Sequence, residues 1–161
     1  MNIRWSLIVS ASMLFAVAVA PGDASAENFP GIQAHAKYAN QVGCLYNEWS
    51  AIKNLGTAGT GTNCNSDVAV LLPTMGETGN QQQWLTANVY IPSSGSPSDV
   101  ECYWMSNDPT DQYPSGSGWW PAPGTGQQSI NLTVWMYDPG SSYLECHLAP
   151  NTELNSAVWT M

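Results

Sequence analysis

The strongest constraint on this chain's fold is a strict two-residue alternation in short segments set between glycine and proline clusters. Over residues 129–137, Ile130, Leu132, Val134 and Met136 fall on one face of an extended chain, and Asn131, Thr133, Trp135 and Tyr137 fall on the other. Val100, Cys102 and Trp104 alternate in the same way with Glu101, Tyr103 and Met105, and Leu144, Cys146 and Leu148 alternate with Tyr143, Glu145 and His147. Further strands are predicted over 67–72, 85–91 and 156–160, while 33–49 fits either another strand or a short helix because of its alanines. Turn clusters occupy 56–61, 92–97, 114–118, 121–126 and 139–140, and no segment carries a sustained helical stripe with caps. About seven short strands separated by such turns predict an all-β chain, an antiparallel β-sandwich of immunoglobulin-like or jelly-roll type.

Cysteine placement agrees with that pattern. Cys44, Cys64, Cys102 and Cys146 are even in number, and no two lie close enough for the paired spacing of a zinc site, so two disulfides are expected and no metal. Three connectivities are open, and the one joining neighbouring stretches, Cys44 with Cys64 and Cys102 with Cys146, is preferred. Cys102 and Cys146 both fall on the apolar faces of their strands, which suggests a buried bridge between two sheets.

The first 26 residues predict an exported chain. Residues 1–26 have the form of a signal peptide: a basic start at Arg4, an apolar run from Trp5 to Ala20, the helix-breaking Pro21-Gly22, and Ala24-Ser25-Ala26 as a small-x-small cleavage site. Residues 27–161 are then expected to form one β-sandwich domain, secreted or periplasmic, with no second apolar segment long enough for membrane insertion. Charged residues are 9% of the chain, against about 25% in an average soluble protein. Setting Arg4 aside, Lys37 and Lys53 are the only fixed positive charges, and the net charge stays near −9. So acidic a chain repels phosphates, which makes nucleic acid and anionic lipid poor partners.

The apolar alanine-based start, Gly43-Cys44, Cys64 opening a strand, Val100-Glu101-Cys102 and the ending Tyr143-Leu144-Glu145-Cys146-His147-Leu148-Ala149-Pro150 together resemble a group of small exported bacterial proteins of unknown function. The resemblance spans most of 27–161 and rests on a cysteine framework, so it implies a fold and no activity. The chain departs from a true immunoglobulin domain at Tyr143, which precedes the late cysteine by three residues rather than the two of a tyrosine corner.

Tryptophan is the unusual component: Trp49, Trp84, Trp104, Trp119, Trp120, Trp135 and Trp159 all follow residue 26. Trp104, on a cysteine-bearing face, is expected in the core. Trp119-Trp120 lies between Ser115-Gly116-Ser117-Gly118 and Pro121-Ala122-Pro123-Gly124, and adjacent residues of an extended chain face opposite ways, so one of the pair resists burial. These two rings are the candidate ligand contacts, for a neutral polysaccharide or a cell-surface component; the competing role is a plug for the open end of the sandwich. Glu145 and His147 share a strand face and suggest, as an alternative, a small secreted hydrolase. A durable extracellular structural component is a third reading. Asn107 and Asp108-Pro109-Thr110-Asp111 gather oxygen ligands as a calcium loop would, but an ordinary polar turn, which Asn, Asp and Pro favour, is the preferred reading. No nucleophile elbow, zinc-protease helix or phosphate-cradling glycine loop is present, and neither a catalytic set nor a cofactor is assigned. Asn131-Leu132-Thr133 is a glycosylation sequon in a eukaryotic secretory route.

Overall fold

The computed structural model describes residues 26–60, 64–74, 80–108, 110, 114–137 and 140–160. The signal-peptide segment before Ala26 and Asp111 of the proposed calcium loop lie outside the described residues. Among the described residues twelve strands follow one another along the chain. They are β1 (Ala26–Pro30), β2 (His35–Ala36), β3 (Leu45–Glu48), β4 (Ala51–Asn54), β5 (Val68–Thr74), β6 (Gln81–Ile91), β7 (Val100–Asn107), β8 (Ser115–Gly116), β9 (Trp120–Pro121), β10 (Gly126–Met136), β11 (Ser141–Leu148) and β12 (Glu153–Thr160). Every pairing is antiparallel. One sheet runs β10-β6-β12-β4-β3 with β1 also on β12, and the other runs β2-β5-β11-β7-β8 with β9 also on β7. The two sheets pack face to face as a β-sandwich with two disulfides.

Alternation decides which side chains enter the core. From β6, Leu85, Ala87, Val89 and Ile91 point inward, and from β10, Ile130, Leu132, Val134 and Met136 meet the inward Val100, Cys102 and Trp104 of β7 and Leu144, Cys146 and Leu148 of β11. Trp104 and Trp159 are both core residues; the Trp104 indole N–H donates to Thr74 Oγ1 at 3.1 Å, whereas the buried Trp159 indole N–H has no hydrogen-bond partner among the described residues. Asn54 is fully buried and satisfied: its amide donates to the carbonyls of Leu148 and Ser66, and its oxygen accepts from the Gly56 N–H.

The disulfides pair Cys44 with Cys64 and Cys102 with Cys146, the preferred connectivity. The bridge between sheets is corrected, however. Cys102 and Cys146 face each other directly across the β7–β11 ladder, with Cα atoms 4.1 Å apart, so this disulfide cross-links two neighbouring strands of one sheet. Sheets stack about 10 Å apart, too far for the short reach between bridged cysteines, whereas opposed residues on adjacent strands lie within it. The segment 33–49 divides into β2, a 3₁₀ turn at Ala39–Cys44 and β3, so neither a single strand nor an α-helix forms there. Strands β1 and β4 carried no clear alternation and were not anticipated.

Candidate functional site

Strand β7 would end its sheet as an open edge, and residues 115–121 close that edge. β8 pairs with Met105 and Ser106, β9 pairs with Glu101 and Cys102, and between them Ser117 takes the Trp104 backbone N–H on its Oγ and donates its own N–H to the Trp104 carbonyl. Gly118 follows with φ 75°, a left-handed conformation that costs a glycine nothing. This kink folds Trp119 back over the sheet's outer face. Its ring stacks on Tyr103 with centroids 5.4 Å apart and lies 4.4 Å from the His147 ring, yet 43% of the residue stays open to solvent.

The floor under Trp119 comes from alternate residues of three strands. Glu101, Tyr103 and Met105 of β7 stand opposite His147, Glu145 and Tyr143 of β11, and Leu71 of β5 stands opposite Glu145 on the other side. Gly116 fits this surface because a β-carbon there would collide with the Tyr103 hydroxyl. His147 is held between carboxylates, Nδ1 3.3 Å from Glu101 Oε1 and Nε2 3.3 Å from Glu145 Oε1. Glu145 points outward but is 95% buried, and Lys37 Nζ bonds both of its oxygens at 2.8 Å. That hydrogen bond and the carboxylate's charge raise the Lys37 pKa despite its partial desolvation. Burial, reinforced by the Glu145 charge, likewise raises the Tyr143 phenol, whose hydroxyl donates to Met105 Sδ.

The candidate residues read from the sequence thus separate. Trp119 joins Tyr103 and His147, whereas Trp120, 54% exposed, turns elsewhere and donates its indole N–H to the Ser117 carbonyl at 2.8 Å. Both rings are exposed. Glu145 and His147 are brought into contact, with the Glu145 oxygens already engaged by Lys37. Asp108 Oδ2 accepts from Thr110 Oγ1 in a local turn, and among the described residues no group of three or more His, Cys, Asp or Glu side chains is arranged to hold a metal ion. Tyr103 and Lys37 were missed as site residues. The alternation already put Tyr103 on the Glu145 face, but only the β7–β11 register and the Gly118 kink reveal that it meets Trp119.

A separate cavity of about 620 Å³ opens at the far end of the sandwich, between the β2 edge and the β3–β4 hairpin, and is lined by Ala34, His35, Val42, Leu45, Tyr46 and Ile52 among others. None of the Trp119 cluster lines it. Trp49, at the tip of that hairpin, is 94% exposed.

No protein-family model and no curated protein matches the chain. Among solved structures it is similar to the C-terminal CBM6 of LamC, a marine laminarinase from Zobellia galactanivorans, with TM-score 0.53, 10% identity, and coverage of 85% of this chain and 100% of that one. It is also similar to the xylan-binding module CBM15, with TM-score 0.53, 8% identity, and coverage of 86% of this chain and 97% of that one. At such identities the likeness shows the fold alone, a β-sandwich. Among the described residues no helix is long and apolar enough to cross a membrane.

Proposed function

We propose that the protein is an exported, noncatalytic module that binds a neutral glycan on the outer face of β7 and β11, with Trp119 as the principal contact and Trp120 as a peripheral one. The observation that carries this reading is the indole of Trp119, held against Tyr103 and His147 while much of it remains open. A ring fixed in this way loses little conformational freedom on binding and offers an apolar surface to the C–H face of a sugar. Around it, the second carboxylate oxygen of Glu101 and the hydroxyl of Tyr103 supply hydrogen-bonding groups for sugar hydroxyls. Lys37 is the one fixed cation beside the two carboxylates Glu101 and Glu145, so the face suits an uncharged ligand better than an anionic one. Two solved sandwiches of similar fold carry carbohydrate-binding names, which supports the same class of ligand, and the disulfides fit an oxidising compartment.

The test is affinity electrophoresis of the full chain through gels containing xylan, laminarin, mannan or soluble cellulose derivatives. At least one polymer is expected to retard the protein, and Trp119→Ala to weaken that retardation by about twofold or more. Equal retardation of the native chain and Trp119→Ala by every polymer that binds would remove this face from the account.

A further inference from the structure

The opposite sheet carries a second aromatic surface. On the outer side of β6 and β10, Trp84 stands opposite Thr133, and Trp135 stands opposite Gln82, so the two tryptophans occupy diagonal positions on one face. Diagonal partners in an antiparallel pair lie roughly 7–8 Å apart, within reach of large rings. Both are exposed, Trp84 at 55% and Trp135 at 46%. Neither rests on the core, since Leu85 and Val134 beside them take the inward positions.

The surroundings of these rings are uncharged. Thr86 donates to Asn131, Ser129 donates to the Asn88 oxygen, and the Asn88 amide donates to Ser156, which makes a hydrogen-bonded ladder across β10, β6 and β12. From Ser129 and Asn88 to Trp135 and Gln82 no outward side chain of β6 or β10 is ionisable, and on β12 Ser156 and Val158 continue the same face. Ionisable groups begin one row further on, where Tyr90 stands opposite Glu153 and Glu153 pairs with Lys53 at 2.9 Å. In a chain of net charge −9 this is a large neutral area, and its amides and hydroxyls keep donors and acceptors beyond those used in the ladder.

We infer that this face is a second binding site, for a neutral polysaccharide chain laid across Trp84 and Trp135. The two rings supply stacking surfaces, the Asn, Gln and Thr side chains meet hydroxyls, and the lack of fixed charge excludes nucleic acid and polyanions as occupants. Because the two faces look away from each other across the sandwich, one polymer segment cannot occupy both. The module is therefore bivalent and cross-links neighbouring chains. This site is independent of Trp119, although it takes the same class of ligand.

Two variants of the full chain test it: Trp119→Ala, and the double variant Trp84→Ala with Trp135→Ala. Each is measured by calorimetry against soluble xylan and laminarin, by turbidity with the same polymers, and by light scattering of the protein alone. Native protein is expected to make the solution of its preferred polymer turbid, and each variant to keep one class of site and lose turbidity. Adding the double change to Trp119→Ala should abolish the remaining binding, by about tenfold or more. The inference is overturned if Trp119→Ala alone removes all binding, if the double variant matches the native chain, if neither polymer binds, or if the double change merely turns a dimer into a monomer, which would make the face a contact between copies. Unchanged binding by Trp119→Ala together with loss in the double variant would instead reject the Trp119 site and keep this one.

Discussion

The outer faces of the two sheets are built from the same alternation yet differ in what holds them. On the β7–β11 face a buried carboxylate, Glu145, is fixed by Lys37 and His147, and a ring from outside the sheet, Trp119, is folded down over the result. On the β6–β10 face the polar side chains bond one another in exposed pairs, and the tryptophans come from the strands themselves. The first face is coupled to the stability of the fold because its parts are buried and charged. The second is decoupled from it, since exposed neutral pairs contribute little net free energy. The difference separates two kinds of recognition surface, one preorganised by interactions beneath it and one that only displays side chains from a rigid sheet.

Substitutions that remove support from the first face should therefore cost far more than those on the second. The largest effect is expected from replacing Cys102 and Cys146 by alanine, since their bridge links the two strands that form the floor. The Cys102–Cys146 loop, with a sequence separation of 44, restricts the unfolded state by about 4 kcal/mol on the loop-entropy scale, against about 3 kcal/mol for the Cys44–Cys64 loop, with a separation of 20. Urea unfolding of the two double variants should rank them in that order. The reverse order would show that the sheet does not depend on its internal bridge.

Next comes Lys37→Met, which leaves Glu145 buried beside His147 alone. A loss of roughly 2–3 kcal/mol is expected, below the full range for a broken buried pair because the lysine is a third exposed. The pH profile sharpens this prediction. The folded-state pKa values of Lys37, Lys53 and Tyr143 are all raised, from 10.5, 10.5 and 10.0, so the native state holds these protons more tightly than the unfolded chain. Their stabilisation is complete below about pH 10 and is lost as pH rises through the raised values. Thermal denaturation between pH 9 and 12 should show that fall in the native protein, and a shallower one in Lys37→Met. An identical slope would place the alkaline loss elsewhere.

Gly116→Ala should cost about 1–2 kcal/mol, because the new methyl must displace the Tyr103 ring. It should also weaken glycan binding, since Trp119 then loses a wall of its seat. Thr86→Ala and Ser129→Ala on the opposite face should change stability by less than about 0.5 kcal/mol. A loss above 1 kcal/mol in either would mean that the second face is braced much as the first is.

The alternation made the fold readable where it was unbroken. Strands β7, β10 and β11 and the core residue Trp104 follow from a two-residue period because one face of each strand must leave water. β1 and β4 escaped because Ala26–Pro30 and Ala51–Asn54 are short and mix small, polar and apolar residues without a period. The cysteine pairing was one preference among three open connectivities, and the layer it joins was not legible, since a face assignment says which way a side chain points and nothing of which strand lies beside it. The candidate site shows the same limit. Trp119 stood out because a loop setting left it hard to bury, while Tyr103, Lys37 and the diagonal pair of Trp84 and Trp135 depend on register, which pairs residues far apart in the chain.

The central claim is that the open ring of Trp119 takes the sugar. Assigned indole N–H resonances in a nitrogen-15 labelled sample, followed during titration with the polymer that binds best, test it most directly. Trp119 should shift early and saturate with the binding curve, while Trp104 and Trp159, sealed in the core, stay fixed. Saturated binding with the Trp119 resonance unmoved would contradict the account.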